Sequence, residues 1–300
     1  MFRARTTTGA TGHCGPMVRY GPRTHYAQSI GPIDQARRHT RRVSAHPVLA
    51  SVVERLVAAG CVAASEEAAE LVAAAPDEPT LGEWIRRRER GEPLAWITAT
   101  MVFCGRPLHL APGVYVPRTQ SEGLARRAAA LLPDRGRAVD LCTGAGAVAA
   151  HLMAQIPTAA VVGVDIDVRA AACARRNRVP TAVADLAEPL RARGGIDVVT
   201  AVPPYVPTGE LRLLPADVRR YEPRLALDGG GDGLDLVRRV IEAAALLLRP
   251  GGWLLMEIGG DQDRAVTPAL AASRFDLVTP WRDDDGDLRG IASRATGSRV

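Results

Sequence analysis

Lysine is missing from this chain altogether: all 38 basic residues are arginine. Aromatic residues make up only 4% of it, and the five cysteines (Cys14, Cys61, Cys104, Cys142, Cys173) stand singly, with no C-x-x-C pair and no histidine cluster beside them. That scatter argues against a zinc site or a disulfide framework, so no metal is expected and the thiols read as reduced core residues. No apolar run approaches the ~18 residues of a membrane span, and the N-terminus lacks the apolar centre of a secretory signal. A protein without membrane association, kept in the cytoplasm, is therefore expected. What the chain does have is size and apolar content: 300 residues, 47% of them hydrophobic, suffice for a large core in one or two domains.

The net charge of +5 belongs to one end. Residues 1–45 hold eight arginines against Asp34 alone, so this tail carries +7 and the rest of the chain −2. The body thus gives no electrostatic case for direct nucleic-acid binding. The tail mixes Gly, Pro, Thr and Arg without any period and is expected to be disordered.

Residues 46–99 predict a small helical domain. Apolar residues recur at helical spacing from Val48 to Val57 and again from Ala68 to Val72, with a break at Gly60. Ser65 reads as the N-cap of the second helix, and Thr80-Leu-Gly-Glu83 as a capping box opening a third that stops at Gly91. Its Arg86-Arg-Arg-Glu-Arg90 run reads as a solvated face. Residues 100–120 predict a β-hairpin linker turning at Gly105-Arg106-Pro107. A helix from Ser121 to Leu132 then leads into residues 121–300, where strands and helices alternate as in a parallel sheet covered on both faces. Strands are expected at 138–142, 160–165, 181–184, 196–201 and 253–258, with a terminal strand pair at 275–279 and 288–292.

The chemistry gathers at strand ends. Val139-Asp-Leu-Cys-Thr-Gly-Ala-Gly-Ala-Val148 reads as strand, turn and helix. Gly144 and Gly146 let the backbone approach a ligand at a helix N-terminus. The turn also satisfies the loose dinucleotide fingerprint, so NAD and S-adenosylmethionine compete for it. Asp140, placed to receive a cation such as the ammonium of S-adenosylmethionine, favours the methyl donor. Asp165, about 20 residues past the glycines, suits the ribose hydroxyls of an adenosine, while Asp167 fills the N-cap role. Asp185 and Leu186, after the third strand, are placed to meet the adenine. The fourth strand ends in Val202-Pro203-Pro204-Tyr205, a rigid turn that cannot continue a sheet ladder.

With these residues in view, the chain resembles the HemK-type protein N(5)-glutamine methyltransferases that modify peptide-release factors. The resemblance runs from Glu83 to the C-terminus through Arg90–Trp96, Phe103 and Gly105, Val116-Pro-Arg118 with Glu122, the Asp140–Gly146 turn and Asp165. Pro203-Pro-Tyr205, the Tyr221–Asp235 block and Pro250–Gly259 with Gln262 complete it. It implies a seven-stranded class I S-adenosylmethionine-dependent methyltransferase domain of the α/β, Rossmann-like kind, preceded by the small helical domain and the hairpin. It also implies a protein substrate such as a peptide-release factor; a monomer is expected. Cofactor contacts would come from Asp140, Cys142, Thr143, Gly144, Ala145, Gly146, Asp165, Asp185, Leu186 and Val202; the acceptor would meet Phe103, Val202, Pro203, Pro204 and Tyr205.

This chain departs from the family pattern in one telling place. The family motif is Asn-Pro-Pro-Tyr, whose asparagine accepts an N–H of the substrate amide, and here that position is Val202, which has no acceptor. Thr119-Gln120-Ser121 likewise replaces Pro-Glu-Thr. A diverged methyltransferase acting on a small molecule, or a non-catalytic cofactor-binding protein, therefore stands beside the glutamine-methylating reading.

Overall fold

The computed structural model describes residues 45–188, 190 and 194–296, and from Ala45 onward the chain forms one compact unit. Residues 1–44, which hold nearly all of the tail expected to be disordered, lie outside the described residues. Helices α1 (Ala45–Ala58), α2 (Ala64–Ala74) and α3 (Glu78–Glu89) follow the expected periodicity. They share an apolar cluster of their own around Leu56, Leu71 and Ile85.

Two of the expected caps are corrected. Helix α2 begins one residue before Ser65, at Ala64, with no side-chain cap. Helix α3 is capped by Asp77, whose carboxylate accepts from the Thr80 N–H at 2.8 Å, and the Thr80–Glu83 box lies inside the helix. Asp77 precedes a proline-containing first turn, where an acceptor also meets the positive end of the helix dipole, and so outcompetes Thr80. The arginine run is a neutralised face: Arg86 pairs with Glu83, Arg87 with Glu92 and Arg88 with Glu67.

After the single turn α4 (Leu94–Ile97), strands β1 (Thr100–Phe103) and β2 (Arg106–His109) form the hairpin. Its turn is Cys104-Gly105, both at positive φ, rather than Gly105–Pro107. Two residues with positive φ match the twist of the flanking strands, which leaves Arg106 and Pro107 to pair within the ladder.

The rest is a seven-stranded sheet in the order β5-β4-β3-β6-β7-β9-β8. Strands β3 (Arg137–Leu141), β4 (Ala160–Asp165), β5 (Thr181–Val183), β6 (Ile196–Ala201) and β7 (Leu248–Glu257) run parallel, and β8 (Phe275–Arg282) and β9 (Leu288–Ala295) close the edge antiparallel. Side chains alternate between two apolar layers, as the pleat requires. Ala138, Val161, Val198 and Leu255 join one layer with helices α5 (Glu122–Leu131), α6 (Ala147–Gln155) and α7 (Val168–Arg176) and the hairpin. Val139, Val164, Val199 and Met256 join the other, where a later helix, Asp235–Leu247, packs Val237, Val240, Ile241, Ala244 and Leu247 at helical spacing. Between β6 and that helix lie two short 3-10 segments and α8 (Ala216–Tyr221); the long helix is therefore α9, and α10 is Gln262–Ala272. The chain order reverses between β3 and β6, which makes the carboxyl ends of these strands the topological switch point. Among the described residues no helix is long and apolar enough to cross a membrane.

Candidate active site

The first βα turn is held from below by Asp140. This carboxylate is 2% exposed, accepts the Thr143 hydroxyl at 2.6 Å on one oxygen and the Thr200 hydroxyl at 2.7 Å on the other, and is pushed up by its burial to about 6. The residue expected to receive an ammonium group is thus first of all the anchor that ties the turn to β6. The two glycines divide the work that the sequence assigned to both. Gly144, at φ +56°, borders a cavity, and a Cβ there would meet no atom within 4 Å, so the backbone is bare where a ligand would lie. Gly146, at φ +81°, does not border it; a Cβ there would come within 2.9 Å of Val179 and 3.1 Å of Ala174, so this glycine serves the packing of α7.

Asp165 closes the turn from the neighbouring strand. Its two oxygens accept the Gly144 N–H at 2.8 Å and the Asp167 N–H at 2.9 Å, while Asp167 caps α7 as expected. Burial raises the Asp165 carboxyl against these backbone bonds. Each oxygen keeps a second lone pair for a hydroxyl donor. Asp185 stands after β5 in an ion pair with Arg239 of α9 at 2.8 Å. Cys142 and Leu186, both at positive φ near +50°, frame this end of the site; non-glycine residues in that region store about 1–3 kcal/mol each, which pre-forms the walls. Burial among three carboxylates pushes the Cys142 thiol up, so it stays protonated.

The cavity, about 180 Å³, spreads over the carboxyl ends of β3 to β6. It brings together Asp140, Cys142, Thr143, Gly144, Ala145, Asp165, Asp185, Leu186, Val202, Pro204 and Phe103 of the expected site. Pro203 and Tyr205 are not on its wall. Tyr205 is instead clamped behind it. Its hydroxyl donates to the buried Glu257 at 2.8 Å, and its carbonyl accepts from the Gln262 side-chain amide at 2.9 Å. Gly233 and Gly259 leave room for it: a Cβ on Gly233 would collide with the Tyr205 carbonyl, and one on Gly259 would lie 3.2 Å from its ring. The glycine-rich 229–235 block and the 250–262 block therefore meet on one residue of the proline turn.

Several lining residues had no signal of their own in the sequence. Tyr115, Ser121 and Leu225 border the same cavity. Ser121 donates to Glu257 at 2.5 Å, and Arg118 pairs with the buried Glu222 at 2.6 Å. Burial raises the carboxyls of both Glu222 and Glu257. Arg118, Glu222, Leu225 and Glu257 lay within blocks that the resemblance covers, and Ser121 within the departing Thr119–Ser121 stretch, but none of them was marked there as a site residue.

One end of this cavity therefore offers the side-chain-free backbone of Gly144, two strand-end carboxylates and apolar Leu186, which fits an adenosine with a charged tail. The other offers Phe103, Val202 and Pro204, which fits an acceptor group. Residues 108–209 match the methyltransferase small domain family model. The chain is 38% identical over 216 residues to the release factor glutamine methyltransferase of Geobacter sulfurreducens, covering 70% of this chain and 76% of that one. The enzyme of the same name from Cereibacter sphaeroides is 33% identical over 269 residues, 87% of this chain and 92% of that one. A 4-amino-L-phenylalanine/4-methylamino-L-phenylalanine methyltransferase of Streptomyces pristinaespiralis is 36% identical over 228 residues, 72% of this chain and 77% of that one.

Proposed function

The chain belongs to the release factor glutamine methyltransferase family and is an S-adenosylmethionine-dependent methyltransferase; from that premise we propose that it methylates the side-chain amide nitrogen of a glutamine in a protein substrate such as a peptide-release factor. The observation that carries the reading is the single cavity that joins the Gly144–Asp165 end to Phe103, Val202 and Pro204. Bound at the first end, S-adenosylmethionine supplies an electrophilic methyl group. Asp165 offers its free lone pairs to the ribose, Asp185 with Arg239 bounds the adenine, and the bare Gly144 backbone admits close approach. The chain's contribution to the chemistry is positional: the clamped proline turn fixes the acceptor wall before substrate arrives, and orientation of this kind supplies much of the acceleration of an in-line displacement. In the same reading the enzyme works as a monomer in the cytoplasm and acts on protein rather than nucleic acid.

Val202 favours a second reading. With an apolar side chain there, beside Phe103 and Leu225, the acceptor end also suits a less polar amine, and one relative is named for a 4-amino-L-phenylalanine acceptor. Incubation with S-adenosylmethionine and either a recombinant peptide-release factor or 4-amino-L-phenylalanine, read by mass spectrometry, separates them. A methyl localised by fragmentation to one glutamine supports the first reading; methylation of the amino acid alone replaces it with the second.

A further inference from the structure

The acceptor end of the cavity lacks a hydrogen-bond acceptor at Val202, yet one stands beside it. Ala201 of β6 pairs with Met256 of β7, so the next residues of these parallel strands, Val202 and Glu257, are level with one another. Both are in phase with Val198 and Leu255, whose layer is covered by α5 and the hairpin. Ser121, 3% exposed just before α5, reaches Glu257 from that covering side. Its hydroxyl donates to one carboxylate oxygen at 2.5 Å, while the Tyr205 hydroxyl donates to the other at 2.8 Å. With Glu257 ionised, its carboxylate only accepts, so the one proton of Ser121 is committed to Glu257 and its lone pairs are what remains for a ligand. Ser121 borders the same cavity as Phe103, Val202 and Pro204.

We propose that Ser121 accepts the N–H of the substrate nitrogen in this chain, in place of the side chain that Val202 lacks, and that Glu257 is the positioning residue that fixes the polarity of the Ser121 hydroxyl. The inference rests on the glutamine-methylation reading and adds the group that orients the amide. Arg118, itself paired with Glu222, and Arg289, itself paired with Asp283, act on Glu257 through space, and Tyr115 faces it from the segment before α5. Burial raises the Glu257 carboxyl against these charges and its two hydroxyl donors. When it takes a proton on the acid side, it becomes a donor itself, Ser121 is no longer forced to present lone pairs, and the substrate contact weakens.

The test uses the full chain and a synthetic peptide carrying the acceptor glutamine of a peptide-release factor, with a second peptide in which that glutamine is replaced by glutamate γ-methyl ester, which has no N–H. The wild type binds the first about tenfold or more tighter than the second, as one hydrogen bond to a buried acceptor requires. Ser121→Ala binds the two alike and loses about tenfold or more in kcat/KM, while its affinity for S-adenosylmethionine in a calorimetric titration changes less than about twofold; Ser121→Thr restores the preference. Glu257→Gln abolishes the acid limb of the kcat/KM profile that Glu257 gives the wild type. A Ser121→Ala enzyme that keeps the preference for the amide, or a Glu257→Gln enzyme with the acid limb intact, overturns the proposal while glutamine methylation stands. A wild type that neither binds nor methylates the glutamine peptide overturns the parent reading, and this one with it.

Discussion

Gly233→Ala gives the clearest test of how the proline turn is held. Gly233 sits at φ +78°, and a Cβ there would strike the Tyr205 carbonyl, lie 2.8 Å from the Gln262 side-chain nitrogen and 3.1 Å from Pro207. The left-handed conformation costs an alanine about 1–2 kcal/mol. Displacing Gln262 breaks its 2.9 Å bond to the Tyr205 carbonyl, and leaving that acceptor unsatisfied adds roughly 1–3 kcal/mol. Together these give a loss of roughly 2–5 kcal/mol. Gly231→Ala is the control, because a Cβ two residues earlier in the same block meets nothing within 4 Å and its φ is outside the left-handed region. It should be neutral within about 0.5 kcal/mol. Urea unfolding of the three proteins, with the slope unchanged, reads the difference directly. Methyl transfer should fall in Gly233→Ala under conditions where it remains folded, while binding of S-adenosylmethionine, whose strand-end residues lie on β3 to β5, is kept. Equal midpoints for the two variants would refute the claim that this block exists to seat Tyr205.

Val202→Asn supplies a side-chain acceptor at the motif position; with Ser121 already accepting the substrate N–H it should change kcat/KM on a glutamine substrate by less than about threefold, whereas in a Ser121→Ala background it should restore about tenfold, and a rise of about tenfold or more with Ser121 in place would show that the amide has no acceptor there. Asp140 is raised to about 6 from an ordinary 3.8, so its native state prefers the protonated form. The stability it contributes is fully present below about pH 4 and lost as the pH rises through about 6, on the order of 3 kcal/mol at most. Asp140→Asn should therefore gain on the wild type in thermal unfolding between pH 4 and 7, and a pH-independent difference would contradict the assignment. The two turn glycines should separate by assay. Both substitutions put an alanine in the left-handed region at a cost of about 1–2 kcal/mol; Gly146→Ala also strikes Val179 and Ala174 and should lower the melting temperature further, whereas Gly144→Ala, with open space at its Cβ, should be the one that weakens S-adenosylmethionine binding measured calorimetrically.

The sheet was legible because its strands announce themselves. Ala160–Asp165 and Ile196–Ala201 are short β-branched runs, each stopped by an acid or a proline, and the structure keeps both boundaries. The longer helices were equally plain, since burial at every third or fourth residue leaves a period that can be read without neighbours. The stretch between β6 and α9 was not, because two 3-10 segments and a six-residue helix are too short to show any period. The residues expected to meet a cofactor border one cavity, Gly146 excepted, because they lie in one turn or at successive strand ends. Phe103, Val202 and Pro204, expected at the acceptor, border it too, but the polar pairs there could not be read: Ser121 and Glu257 are 136 residues apart, Arg118 and Glu222 are 104 apart, and only the folded sheet makes them neighbours. The glycines show the same limit. Sequence marks Gly144 and Gly146 alike as ligand-facing, and only packing shows that one faces the cavity and the other a helix.

The central claim is that the cavity above β3 to β6 binds the methyl donor through the Gly144 turn and Asp165. Calorimetric titration of the purified chain with S-adenosylmethionine, and in parallel with NAD, tests it most directly, with Asp165→Ala as the paired variant. Micromolar binding of S-adenosylmethionine, weakened about 10-fold or more by Asp165→Ala and with no comparable binding of NAD, is the predicted result. Binding that is indifferent to Asp165, or a preference for NAD, would contradict it.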